Sequence, residues 1–144
     1  MRRPAAGLLA LALAFTSLAT VARAQAVPDW NALSGEQEVS LVTHDPDGVV
    51  RDTTVWLAVV DGQGYLRTGK THWRENLDRN PDTQFRIGGR EYPLRARHVT
   101  DPELIQRIGA AFRAKYGFSD RFVGWFTSEE SRYYIAMVAR PPGE

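Results

Sequence analysis

The chain has 144 residues, 18 Lys and Arg against 17 Asp and Glu, 43% hydrophobic residues and no cysteine, which suits one ordinary domain around a single core. The absent thiols exclude disulfides, thiolate metal sites and a cysteine nucleophile. The near-balance of charge excludes a broad nucleic-acid surface.

The first segment reads as a secretory signal peptide. Met1-Arg2-Arg3 is a short basic start, residues 5–19 are an apolar run rich in Leu and Ala, and Ala22-Arg23-Ala24 is a small-x-small cleavage site. That run is too short for a comfortable membrane span, and no other stretch approaches one. Cleavage after Ala24 removes 24 of the 144 residues and leaves 120. Arg2, Arg3 and Arg23 leave with the peptide, so 15 basic residues then face 17 acidic ones and the charge falls from +1 to −2. The expected location is the periplasm or the exterior. Residues 25–144 form the domain, which without disulfides relies on packing, a ligand or a partner subunit.

Residues 29–34 read as a cap for one end, with Trp30 and Leu33 as its apolar contacts. Residues 38–43 alternate as a strand with Val39 and Leu41 on one side, and Pro46 and Gly48 mark a turn. Residues 51–60 are a second, apolar strand, joined by a tight hairpin at Asp61-Gly62 to a third at 64–68. A short helix follows, with Thr71 as N-cap, Trp73 and Leu77 on one face, an Arg74/Asp78 pair at i,i+4 and a stop at Asn80-Pro81. Residues 84–87 and 90–99 form a hairpin about Gly88-Gly89, with Tyr92, Leu94 and Ala96 on one face and Pro93 marking an edge or a bulge. Thr100-Asp-Pro-Glu103 starts a second helix with a capping-box spacing, Leu104, Ile105, Ile108, Ala111 and Phe112 recur at helical spacing, and Gly117 stops it. Strands at 121–126 and 132–139 complete the chain. The sum is a mainly β (α+β) fold, a small antiparallel barrel of about six or seven strands with two helices.

The chemistry concentrates where the third strand gives way to the first helix. A strand turning through Gly69 into a helix presents free backbone N–H groups and the positive end of the helix dipole, an arrangement that holds anions. Arg67, Lys70 and Arg74 add charge there, and Thr68 and Thr71 add hydroxyls. Residues 64–71 also satisfy the GxxxxGK[ST] pattern of a triphosphate-binding loop, yet residues 65–68 are bulky and strand-like and no later apolar run ends in a magnesium-binding Asp. That reading is set aside. His44, His72 and His98 are too scattered for a metal site. Trp56 and Trp73 suit core and ligand stacking equally well, and Trp125 with Tyr133-Tyr134 suits either a substrate mouth or the core.

The run Gly48-Val-Val-Arg-Asp-Thr-Thr-Val-Trp-Leu57, then Asp61-Gly62, Tyr65-Leu-Arg-Thr68, Lys70, Arg74, Asn76-Leu77, Asn80-Pro81 and Ala114-Lys-Tyr-Gly117, resembles the pyridoxamine-phosphate-oxidase-like split β-barrel superfamily. The likeness is strongest to the branch of deazaflavin-dependent nitroreductases and related proteins of unknown function. It covers roughly residues 38–117. The resemblance implies a homodimer with FMN or a deazaflavin in a groove at the dimer interface. It implies that Arg67, Thr68, Lys70 and Arg74 hold the phosphate with help from Thr71, that Thr54, Val55 and Trp56 border the ring system, and that Arg51 makes a further contact. Such chemistry belongs to the cofactor, so no acid–base dyad is required of the chain. Two readings follow: an exported oxidoreductase acting on a small organic substrate, or a non-catalytic haem-, flavin- or anion-binding module on the same barrel.

Overall fold

A computed structural model describes residues 27–117 and 133–142. The leader expected at 1–24, the strand expected at 121–126 and Trp125 lie outside the described residues. The elements run β1 (Glu38–His44), β2 (Val50–Val60), β3 (Gln63–Thr68), α1 (His72–Arg79), β4 (Asp82–Ile87), β5 (Arg90–His98), α2 (Pro102–Tyr116) and β6 (Tyr133–Ala139).

The six strands close into a barrel in the order β1-β2-β3-β6-β5-β4, every neighbour antiparallel. Two turns of two residues make the local hairpins. Asp61 and Gly62 have φ of 50° and 72°, and Gly88 and Gly89 of 54° and 74°, the paired positive values that match the twist of the flanking strands. Pro93 pairs with Gln84 of β4, while the ladder to β6 begins only at Leu94, so the missing N–H costs that ladder nothing.

Alternation sorts the side chains into two layers. Val39, Leu41, Val55, Leu57, Leu66, Phe85, Leu94, Ile135 and Met137 fill the barrel. Ala58, Tyr65, Tyr134 and Ala136 point outward, where Ile108 and Phe112 of α2 cover them. Asp101, one residue beyond the threonine of the expected capping box, caps α2 by accepting from the Glu103 N–H at 3.0 Å. At the other end of α2, Gly117 stops the helix with φ 52°.

Each mouth of the barrel is plugged. Trp73 and Leu77 of α1 enter one, both buried. Trp30, 4% exposed, enters the other and meets the Phe85 ring edge-on at 5.6 Å. Its indole lies so close to Gly64 that a Cβ there would sit 2.3 Å from a ring carbon. Gly64→Ala is therefore expected to destabilise the fold by about 1–3 kcal/mol through overpacking, read from urea unfolding. An unchanged midpoint would mean that Trp30 is not seated there.

Candidate functional site

The barrel is split between β2 and β3. β2 pairs with β1 over Val50–Trp56 as far as its own start, but with β3 only over Leu57–Val60. Beyond Leu66, β3 stays with β6, where Arg67 faces Tyr134 and Thr68 faces Tyr133. The two strands therefore diverge with Thr54, Val55 and Trp56 on one lip and Arg67, Thr68 and Gly69 on the other. Leu57 turns its amide to the Tyr116 hydroxyl, at 3.0 Å, on the β1 side, and the same hydroxyl meets the Gln37 carbonyl. Strand alternation then directs the main-chain groups of Trp56 and Thr54 toward the split.

Strand alternation also divides the cations. Arg67 points to the outer face, its guanidinium 5.8 Å from the Trp56 ring centre and 5.0 Å from that of Phe112. Trp56 stacks in turn on Tyr116, with centroids 4.4 Å apart. Thr68 points inward and is buried. Its hydroxyl donates to the Gly69 carbonyl at 3.1 Å and lies 2.9 Å from the Thr71 hydroxyl, which accepts from the Arg74 N–H at 3.3 Å. The two threonines thus build the strand-to-helix turn and cap α1. Arg74 folds back over the Tyr133 ring, 3.5 Å from its centre, and its Nε lies 3.6 Å from Asp78. That Nε is buried without a hydrogen bond. Lys70 is exposed beside this turn, with no ion pair or hydrogen bond among the described residues. The structure therefore brings Thr68, Lys70, Thr71 and Arg74 together at the junction, and sets Trp56 and Arg67 together on the outer face of the split. Val55 and Trp73 lie inside the barrel among its core.

Arg51 stands elsewhere. It pairs with Asp45 at 2.6 Å, and Asn76 of α1 donates to the same carboxylate at 2.9 Å and to Thr43 at 3.1 Å. This network ties α1 to the β1–β2 turn and lines an open cleft of about 380 Å³ with His72, Glu75 and Arg79. The Arg51 and Asn76 hydrogen bonds hold the Asp45 carboxyl below its ordinary 3.8. A carboxyl depressed in the fold stabilises above its unfolded value, and that contribution is lost as pH falls through the lower folded value. Asp45→Asn is therefore expected to flatten the decline of melting temperature below about pH 4. An unaltered acid limb would remove Asp45 from that account.

Two residues of the last turn of α2 have a role that the sequence reading did not assign. Lys115 donates to the Leu57 carbonyl at 2.7 Å and Tyr116 to the same oxygen at 2.9 Å. Burial lowers the Lys115 pKa and raises that of Tyr116. In sequence both are ordinary helix-end residues. Here they fix the β2 lip of the split. Among the described residues no group of three or more His, Asp or Glu is placed to hold a metal ion, and no helix is long and apolar enough to cross a membrane.

Comparison with solved structures returns this barrel. A conserved hypothetical protein of Mycobacterium tuberculosis superposes with a TM-score of 0.62 at 23% identity, covering 83% of this chain and 84% of that one. A candidate pyridoxamine 5′-phosphate oxidase of Listeria innocua gives 0.59 at 20%, covering 78% and 90%. The haem storage protein HutZ of Vibrio cholerae gives 0.59 at 13%, covering 79% and 89%. The fold is thus the split barrel of pyridoxamine-phosphate-oxidase-like proteins, as the sequence resemblance implied. No curated protein sequence matches. Residues 29–136 match the family DUF2255, and the chain belongs to that family, described as uncharacterized proteins conserved in bacteria.

Proposed function

We propose that the protein binds FMN or a deazaflavin in the β2–β3 split and serves as an oxidoreductase for a small organic substrate. The observation that carries this reading is the divergence of β2 from β3 beside a cationic turn. It leaves a strand edge with main-chain groups to offer, next to Lys70, Arg74 and the start of α1. The donor set fits a flavin phosphate. Lys70 has no protein partner among the described residues, Arg74 keeps a buried Nε without a hydrogen bond, and a helix start favours an anion. In this assignment Lys70 and Arg74 hold phosphate oxygens, while Thr68 and Thr71 keep the turn in shape. The Thr54–Trp56 main chain borders the ring system, and Arg67 is held on the outer face by Trp56 and Phe112.

Bound flavin supplies hydride or electron transfer. The chain's task is then to orient the ring and to exclude water, which the packed Trp56–Tyr116 pair serves. A second copy completes the groove. Val49 and Val50, 53% and 59% exposed, lie where β2 begins, and dimer formation buries them. We further infer that residues 1–24 export the chain and that it acquires its cofactor outside the cytoplasm.

Fold alone does not fix the reaction, since the same barrel serves haem storage in one relative and is assigned to an oxidase in another. The test is thermal unfolding with added FMN or deazaflavin. A ligand at a hundred times its dissociation constant stabilises by about 2.7 kcal/mol. A raised midpoint together with reduction of an electron acceptor is expected. Binding without turnover would favour the non-catalytic module, and an unmoved midpoint with every flavin would contradict the proposal.

A further inference from the structure

A second concavity lies on the outer face, away from the split. β3, β6 and β5 bring Tyr65, Ala136 and Arg97 side by side in register. The first turn of α2 stands over them, enclosing a cleft of about 260 Å³ with Val99 and Leu104 in its walls. Tyr65 is only 6% exposed. Its hydroxyl makes no hydrogen bond among the described residues and, unlike its ring, is open to the cleft. Burial is the main influence on its pKa and raises it, so the group is a proton donor at neutral pH.

Three other ionisable groups around the cleft have protein partners. Asp101 is engaged in capping α2 at 3.0 Å, His98 lies 2.7 Å from Asp78, and Asp61 is paired with Arg107. Arg97 stands exposed at the mouth with no ion pair or hydrogen bond among the described residues. Val99, Leu104 and Ala136 give the cleft an apolar side, and His98, Thr100 and Asp101 a polar one; Arg97 and the Tyr65 hydroxyl beside the apolar side are complementary to a short apolar molecule ending in an anion. Its volume falls below the roughly 300–1,000 Å³ of sites for drug-sized ligands, so the ligand is small.

We propose that this cleft binds a small organic monocarboxylate, with Arg97 and the Tyr65 hydroxyl on the carboxylate and Val99, Leu104 and Ala136 against the hydrocarbon part. The site is independent of the flavin reading, because its residues belong to the other end of α2.

The test titrates the purified protein with butyrate and benzoate, followed by amide chemical shifts. Saturable shifts at residues 97–104 are expected. Butyramide, of the same shape without the charge, should bind at least about tenfold more weakly, and Arg97→Gln should lose about tenfold in affinity. Tyr65→Phe removes one atom and serves if the arginine variant fails to fold. It should weaken butyrate several-fold while leaving the unfolding midpoint unchanged, because no protein partner is lost. Absence of saturation, equal binding of butyramide, or a drop in midpoint for Tyr65→Phe without loss of affinity would overturn the proposal. So would shifts that vanish in the Lys70→Ala/Arg74→Ala double variant, since they would place the carboxylate at the split.

Discussion

Replacing Lys70 and Arg74 together by alanine is expected to weaken FMN binding by about 100-fold or more. Each charge-assisted hydrogen bond to a phosphate contributes about 1.5–3 kcal/mol, and tenfold in affinity corresponds to about 1.4 kcal/mol. The fold should tolerate the change. Lys70 is exposed and without a protein partner among the described residues. Arg74 gives up a cation–π contact over Tyr133 at 3.5 Å and a 3.6 Å approach to Asp78, worth together about 1 kcal/mol. Quenching of flavin fluorescence measures the affinity and urea unfolding the stability. An unchanged dissociation constant in a folded double variant would remove the strand-to-helix turn from the site.

Phe112→Ala is expected to cost about 3–5 kcal/mol, as truncation of a fully buried aromatic does. Phe112 is 0% exposed and, with Ile108, packs α2 on the sheet. Tyr116 lies 5.7 Å and Tyr134 6.1 Å from its ring centre, and the Arg67 guanidinium lies 5.0 Å away. The loss should reach the split, because Lys115 and Tyr116 hold the Leu57 backbone from the same helix. Flavin affinity should therefore fall along with the urea midpoint, whereas Phe112→Leu, which keeps most of the volume, should recover much of both. A cost below about 1 kcal/mol would mean that α2 does not depend on this contact.

These two expectations rest on different amounts of sequence information. Period-two alternation in residues 38–43 and 90–98 and the helical spacing of Leu104, Ile108 and Phe112 mark the core directly, because burial of one face constrains every second or every third to fourth residue. Thr71 as cap, and Trp73 with Leu77 on one helix face, were legible for the same local reason, whereas the entry of that face into a barrel mouth was not. The order of closure was not. The pairs β1–β4 and β3–β6 join segments far apart in the chain, and no local pattern records them.

The site was half legible. Arg67 and Thr68 are adjacent in sequence, and adjacency in a strand means opposite faces. A reading by proximity gathers Arg67 with Lys70 and Arg74, yet the sheet separates it from Arg74. Arg51 likewise looks like a free cation until Asp45, six residues earlier across a turn, takes it. Lys115 and Tyr116 lie in the Ala114–Gly117 run that carries part of the resemblance, yet no role was assigned to them, since it comes from where the end of α2 lands on β2.

Hydrogen exchange of the purified protein with and without FMN tests the central claim most directly. The split-site assignment expects slowed exchange at the amides of Thr54, Trp56 and residues 69–74, on the two lips of the opening. Flavin that binds with protection confined to other segments, or no protection at any concentration, would contradict it.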